Sequence, residues 1–179
     1  LIFQNLPTAI QGLVARENLE RALDRARPLI YTMRPEVREC YKRIEMGVDP
    51  AFSLTRWASH SACWVRGVTE AGRKDFLAGW RQKLLPHQLE AKLVVTILAM
   101  RPDVVYIESN AAQIYLVENV RKAMVRHDMK PDIIQPVQTT STPESTVEQA
   151  VSDCIVSIEN GMSTFPYQGA DAQELTEQL

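Results

Sequence analysis

The N-terminal part of the chain has apolar side chains at helical spacing. Within residues 7–30 the apolar positions form one stripe and the charged positions fall largely on the other face, which predicts an amphipathic helix. A second apolar stripe extends from Pro35 to Ile44, and proline is favoured in the first turn of a helix. We therefore interpret residues 1–44 as two helices that support or connect the rest of the chain.

Beyond residue 44 the pattern changes to short apolar runs joined by turns. Residues 46–49 end a first strand, residues 62–68 form a second, and residues 75–80 return from it after a turn at 70–73. Three consecutive strands with short connections predict an antiparallel meander.

Helices and strands then alternate. Residues 87–100 are apolar at helical intervals, whereas residues 104–107 have the unbroken apolarity of a buried parallel strand. A helix over 111–127 and a strand over 132–137 follow. The order β-β-β-α-β-α-β predicts an α/β fold: a mixed sheet of three antiparallel strands and then parallel strands, with helices on both faces.

The C-terminal part begins with a polar loop over residues 138–145. Pro143 and Glu144 open a predicted helix that extends to Glu159, where Asn160-Gly161 is a favourable helix stop. We also expect a short helix over 169–179.

Composition narrows the class of protein. The 179 residues, of which 45% are hydrophobic, suffice for one core of ordinary size. A net charge of −2 excludes a strongly basic domain, so DNA contact has to come from local basic patches or metal ions. Three cysteines without C-x-x-C spacing argue against a zinc site and favour a reducing, intracellular setting. No apolar run approaches the roughly 20 residues of a membrane span, so we expect a soluble protein.

Two carboxylates occupy predicted strand ends. Asp49 ends the first strand and Glu108 ends the fourth, and strand ends are where α/β sheets build their sites. On neighbouring parallel strands they would lie about 5 Å apart. Carboxylates that close repel unless a cation lies between them, and Mg²⁺ or Mn²⁺ prefers such oxygen ligands. The alternative is that both side chains only cap the loops after them.

Four short sequence elements occur in an order and at a separation that are similar to those of a known protein family. They are G-V-D-P-A at residues 47–51, Ser61-Ala62, the hairpin with Gly72, and V-Y-I-E-S-N-A-A-Q at residues 105–113. Together they resemble the nuclease domain of tailed-phage terminase large subunits, over roughly residues 44–179.

The resemblance implies a ribonuclease H-like domain over residues 45–179, after linker helices in residues 1–44. It implies an endonuclease that cuts concatemeric double-stranded DNA during genome packaging in the host cytoplasm by a two-metal mechanism. Asp49 and Glu108 would be its catalytic metal ligands, for Mg²⁺ or Mn²⁺. Its partners would be DNA, the terminase ATPase domain, the small terminase subunit and the portal protein. The sequence has no Walker G-x-x-x-x-G-K-[ST] loop, so the motor is not in this chain.

The chain departs from the family around the metal site. The family often has an Asp before the second strand, where this chain has His60, so an auxiliary contact is lost or His60 replaces it. Asn110 is a second auxiliary candidate, which orients a metal-bound water or caps the helix after it. The family's third carboxylate has no clear match, since Asp153 reads as a solvated helix residue and Asp171 as a cap. We expect that ligand beyond residue 179, and we expect the chain to be part of something longer.

Candidate DNA contacts lie in two places. Trp57 and Arg56 fall in the loop beside Asp49, where they could stack on a base and hold a phosphate. Arg73, Lys74, Arg81 and Lys83 fall in and after the hairpin, where they could grip the DNA backbone, and Arg73 and Lys74 are the preferred candidates. The family's segment after the fifth strand is usually basic, but residues 138–160 contain no Lys or Arg. For the hairpin cations, solvated surface charge is the plain alternative.

Two other functions fit the same pattern. One is another ribonuclease H-like nuclease, such as a junction resolvase or an integrase. The other is a catalytically silent module that docks onto DNA or the portal through the same fold, which the acidic balance and the basic-free C-terminal region favour slightly. Cleavage assays on different DNA structures and metal titration separate these readings.

Overall fold

The structure is a computed structural model that describes residues 15–24, 27–51, 60–109, 114–138 and 152–166. Its helices are α1 (Arg16–Ala22), α2 (Pro35–Arg38), α3 (Pro86–Met100), α4 (Ile114–Arg126) and α5 (residues 152–159), with a 3-10 turn at Pro131–Ile133. Its strands are β1 (Leu23–Asp24), β2 (Arg43–Asp49), β3 (Ser61–Val68), β4 (Lys74–Gln82), β5 (Val104–Glu108), β6 (Ile134–Val137) and β7 (Ser163–Pro166). Within the described ranges, no helix is long and apolar enough to cross a membrane.

The described strands form one sheet in the order β1-β7-β4-β3-β2-β5-β6. Strands β2, β3 and β4 are an antiparallel meander, and β5 pairs in parallel with both β2 and β6. Strand β7 pairs in parallel with β4 and with β1. The predicted mixed α/β sheet, in which a meander is followed by parallel strands, is confirmed.

One face of the sheet carries the main core. Strand β3 alternates between buried and half-buried residues, and α3 buries one stripe against the sheet. The stripe consists of Leu89, Leu93, Ile97 and Met100. Helix α4 adds a second buried stripe that includes Val120 and Met124. This layer holds most of the buried apolar side chains of the described residues, and each fully buried one stabilises the fold by about 1.5–3 kcal/mol.

Helices also pack on the second face. Phe76 lies between the buried residues Asp75 and Leu77 on β4, so its ring points to the opposite side of the sheet. There it lies 6.1 Å from the ring of Phe165 on β7. Phe165 packs on a smaller cluster formed by Ala22 of α1 with Ile155 and Ile158 of α5. Helices therefore cover both faces, as predicted.

Two glycines allow aromatic rings to lie directly on the sheet. A Cβ at Gly47 would overlap the indole of Trp64, and one at Gly67 would overlap the ring of Tyr41. Both glycines are buried strand residues, so the missing side chain is replaced by a neighbouring aromatic ring. This close packing fixes the backbone of β2 two residues before Asp49.

The central elements agree with their predictions. Strands β3, β4 and β5 and helix α3 lie where the hydrophobic pattern predicts them, and α4 covers the described part of its predicted helix. The stop at Asn160-Gly161 is confirmed as well. Gly161 has a φ of +67° and donates its N–H to the carbonyl oxygen of Ile158 at 3.0 Å.

The first predicted helix is too long. Helix α1 ends at Ala22, because Leu23 and Asp24 pair in parallel with Phe165 and Pro166 of β7. Neither β1 nor β7 is predicted from the sequence. Helical spacing is a local signal, whereas this short pairing joins two segments that are far apart along the chain.

The second predicted helix is reduced to a single turn, Pro35–Arg38. The chain then enters β2, and the N–H of Ile44 donates to the carboxylate of Asp103 at 2.7 Å. Arg38 holds the same carboxylate at 2.9 and 3.0 Å. The apolar residues after Arg38 are therefore buried by tertiary packing rather than along a helix. The domain boundary at residue 44 stays a prediction, although β1 precedes it and belongs to the same sheet.

Several predictions lie outside the described residues. They include the N-terminal part of the first helix, the loop over residues 138–145 beyond its first residue, the start of the helix that becomes α5, and the tail helix over 169–179.

Candidate active site

Asp49 and Glu108 lie side by side at one edge of the sheet. Strands β2 and β5 are parallel neighbours in which Val48 pairs with Ile107, so the next residue of each strand is one of the two acids. The two carboxyl groups are within hydrogen-bonding reach of each other. Asp49 is exposed and Glu108 is half-buried, so the pair is open to solvent. The predicted convergence of the two strand ends is therefore present.

The electrostatics of the pair are unfavourable without a cation. Partial burial raises the pKa of Asp49, and the negative charge of Glu108 and the hydrogen bond to it raise the pKa further. Two adjacent carboxylates offer the oxygen donors that Mg²⁺ and Mn²⁺ prefer, so the residues present fit such an ion. Across the described residues, no group of three or more His, Cys, Asp or Glu side chains could hold a metal ion. The third ligand therefore stays a prediction.

The backbone that follows each acid is held in place. The hydroxyl of Ser61, which is fully buried, accepts the N–H of Ala51 at 2.9 Å and donates to the carbonyl oxygen of the same residue at 3.2 Å. After Glu108, the N–H of Ser109 donates to the carbonyl oxygen of Val137 at 2.9 Å. These bonds restrict the chain within two residues of both carboxylates. Ser61 is one of the residues on which the family resemblance rests.

A layered contact supports β2 just before Asp49. The indole of Trp64 lies against Gly47, and the guanidinium of Arg66 lies 4.8 Å from the centre of the Trp64 ring. Arg66 also binds the buried Glu45 at 2.6 Å, and Arg43 pairs with the same carboxylate. Glu45 is therefore neutralised by two arginines of the protein itself.

The predicted auxiliary residues are only partly described. His60 lies directly before β3, at the same edge of the sheet as Asp49. Burial and the positive charges of Arg81 and Lys83 lower the pKa of His60, so its described electrostatic partners are cations rather than the two acids. Asn110, Arg56 and Trp57 lie outside the described residues. The proposed roles of all four stay predictions.

The hairpin cations Arg73 and Lys74 are not brought to the carboxylates. Lys74 pairs with Val68, which pairs with Arg43 at the beginning of β2. At strand rise, that level lies about 20 Å from Asp49. Arg73 is held by the carboxylate of Asp75, at 2.9 and 3.0 Å. A DNA contact by these two residues would therefore lie at the opposite edge of the sheet.

The other end of the hairpin does reach the site. Asp49 pairs with Ala62, and Ala62 pairs with Arg81, so the three residues lie at one level of the sheet. Arg81 is one of the hairpin cations that the sequence offers as DNA contacts, but it is not among the preferred ones. The strand register singles it out, because it places residue 81 opposite Ala62.

Comparison with known proteins identifies the fold. No profile of a known family matches the chain, and neither does any curated protein by sequence. The large terminase nuclease of thermophilic phage G20c is similar with a TM-score of 0.50 and 16% identity, over 89% of this chain and 77% of that one. The HK97 bacteriophage large terminase gives 0.50 and 12%, over 86% and 33%. The fowlpox virus Holliday junction resolvase gives 0.47 and 11%, over 76% and 85%. At such identities the similarity concerns the fold alone, and the chain has the ribonuclease H-like fold.

Proposed function

We propose that this chain is a metal-dependent endonuclease domain that cleaves double-stranded DNA, of the type found in tailed-phage terminase large subunits. The observation that carries the proposal is the contact between Asp49 and Glu108 at the ends of adjacent parallel strands. The pKa of Asp49 is raised by partial burial and, in addition, by the like charge of the adjacent Glu108. Such a pair is costly for folding and useful for binding a cation.

In this proposal Asp49 and Glu108 hold Mg²⁺ or Mn²⁺. When bound, such ions act as Lewis acids on a phosphodiester and lower the pKa of a coordinated water. The protein contributes two anchored carboxylates, because the bonds of Ser61 and Ser109 fix the adjacent backbone. A structure of the phage G20c nuclease, which has the same fold, contains magnesium.

The described residues favour direct hydrolysis over a covalent intermediate. The thiol of Cys63 is buried, and burial raises its pKa to about 12, so it is not a nucleophile near neutral pH. The hydroxyl of Ser61 is fully buried and bonded to the backbone of Ala51. Neither residue combines exposure with an adjacent base, which an activated nucleophile requires.

The packaging role rests on the sequence elements around these acids. G-V-D-P-A and the run that contains Glu108 lie at the two strand ends that meet, in the order found in terminase nucleases. The proposed partners are double-stranded DNA, the terminase ATPase domain, the small subunit and the portal protein, in the cytoplasm of the host.

The test is a cleavage assay on three substrates: a linear duplex, a four-way junction and an RNA–DNA hybrid. We expect cleavage of the linear duplex with Mg²⁺ or Mn²⁺ and none with EDTA. Cleavage confined to the junction would favour a resolvase instead.

Metal titration tests the silent docking alternative. An ion at about 100 times its dissociation constant should stabilise the folded protein by about 2.7 kcal/mol. Absence of any Mn²⁺-dependent stabilisation, together with absence of cleavage, would favour the docking module.

A further inference from the structure

The carboxylate pair creates a problem for a DNA ligand. Asp49 and Glu108 repel phosphate, and the net charge of the chain is −2, so the whole-protein field does not attract DNA either. Cations close to the pair are therefore needed to hold the substrate in place.

Most arginines in or beside the sheet form salt bridges with carboxylates of the protein. Arg43 and Arg66 bind the buried Glu45, and Arg27 and Arg73 bind the buried Asp75. Arg81 differs from them, because it is exposed and forms no salt bridge with any residue in the described part of the chain. An uncommitted guanidinium at a sheet edge is available to an external anion.

The register places Arg81 beside the acids. Directly paired residues of antiparallel strands point to the same face, so Asp49, Ala62 and Arg81 share one face of the sheet. Two strand spacings separate Asp49 from Arg81, or about 10 Å between the backbones. Ala62 lies between them and has only a methyl group, so no large side chain on β3 separates the two at this level.

One further cation, Lys83, and the imidazole of His60 lie on the same side. The charges of Arg81 and Lys83 both reach His60 and lower its pKa, which places the three groups close together at this edge. Arginine suits phosphate especially well, because its planar fork donates two parallel hydrogen bonds and its charge is permanent.

We propose that Arg81 binds the DNA backbone next to the carboxylate pair and that, with Lys83 and His60, it forms the phosphate-holding side of the site. This inference rests on the proposed nuclease function. In this proposal, DNA contacts the hairpin at the end of β4 that contains Arg81 and not at the hairpin turn.

The experiment compares Arg81→Gln with the parent in binding of a fluorescent duplex over a series of salt concentrations. Each phosphate contact contributes about 0.9 to the slope of log affinity against log salt, so the variant should lose about that amount. Binding at low salt should weaken several-fold. In cleavage assays KM should rise more than kcat falls, and stabilisation by Mn²⁺ should equal that of the parent. Arg81→Lys should keep the slope while losing part of the affinity.

The matched control is Arg126→Gln, which removes an exposed arginine from the end of α4 that lies far from the carboxylates. It should bind with the parent's slope. If the parent binds and cleaves duplex but Arg81→Gln keeps the parental slope, the inference is wrong and the nuclease proposal stands. If Arg81→Gln and Arg126→Gln lose the same amount, the effect is general charge and the inference is also wrong. If the parent neither binds nor cleaves duplex, both proposals fail together.

Discussion

Two aspartates at opposite edges of the same sheet show opposite electrostatics. Asp75 is almost fully buried, yet its pKa is lowered, because hydrogen bonds from Arg73 and Thr164 and the charges of Arg27 and Arg73 outweigh the effect of burial. Asp49 is exposed, yet its pKa is raised, because partial burial and the neighbouring Glu108 both disfavour its charge. From exposure alone, the buried Asp75 would be expected to have the higher pKa and the exposed Asp49 the lower one.

The difference separates a structural carboxylate from one that we propose binds a cation. Asp75 ties the start of β4 to β7 and to the segment before α2, and the protein supplies its cations. Among the described residues, the neighbour that acts on Asp49 is a carboxylate, which a cation from solution would compensate. An acidic residue whose charge the protein does not compensate is the better candidate for a binding site.

The largest effect should come from neutralising either acid of the pair. Asp49→Asn and Glu108→Gln should each lower divalent-dependent cleavage by more than about 100-fold, the upper end of what indirect metal-site changes cost. The double variant should be no worse than the singles, since the two residues act as a unit. Initial rates on linear duplex check this, with Glu159→Gln as an exposed carboxylate control far along the chain. Parental rates in Asp49→Asn would remove that residue from the site.

Removing the structural aspartate should cost stability instead. Asp75→Ala leaves Arg27 without its carboxylate, and breaking a buried ion pair costs about 3 kcal/mol or more. We take the low end because the side chain of Arg73 is half exposed. Urea denaturation measures the loss, and Asp132→Asn, at an exposed position, serves as the control. A variant that unfolds at the parent's urea midpoint would contradict the structural assignment of Asp75.

A smaller effect is expected at the ring contact that supports β2. In Gly47→Ala the new methyl group overlaps the indole of Trp64, and overpacking of this kind costs about 1–3 kcal/mol. Adding Trp64→Ala should recover part of the loss, because the clash disappears when the ring does. The two changes are then coupled in a double-mutant cycle. Strictly additive losses would mean that the ring does not restrain β2.

The smallest effect should appear in the pH dependence of stability without metal. The folded pKa of Asp49 is raised above its unfolded value, so the folded state holds that proton more tightly. The parent should therefore lose stability relative to Asp49→Asn as the pH rises from the unfolded pKa of Asp49 through its raised folded pKa. The resulting difference in the free energy of unfolding should stay below about 1 kcal/mol, because the side chain is exposed and solvent screens it.

Asp75 should give the opposite sign. Its pKa is lowered, so its contribution is present at neutral pH and is lost as the pH falls through the folded pKa. Urea denaturation in EDTA at several pH values from acid to neutral measures both differences. If the stability differences at Asp49 and at Asp75 changed with pH in the same direction, the proposed contrast between the two aspartates would be wrong.

The sequence by itself determines the central sheet and the acids on it. Short apolar runs predict β3, β4, β5 and the end of β2, and the runs of β2 and β5 are followed directly by Asp49 and Glu108, which puts both acids at strand ends. Such signals are local: alternation, breakers and strand ends depend on neighbours in the chain. The convergence of the acids needs only that β2 and β5 be parallel neighbours, which the order of elements already favours.

Only the tertiary structure decides which cations lie at the level of the two acids. Arg73 and Arg81 belong to the same predicted hairpin, and the local sequence does not show which of them lies beside the two acids. The register sends Arg73 to Asp75 at one edge and Arg81 to the level of Asp49 at the other. Likewise the short strand β1 overrides a helical pattern because it pairs with β7. The pairing of Asp49 with Ala62 and that of β1 with β7 join residues far apart in sequence, so their energies depend on alignments that no local window contains.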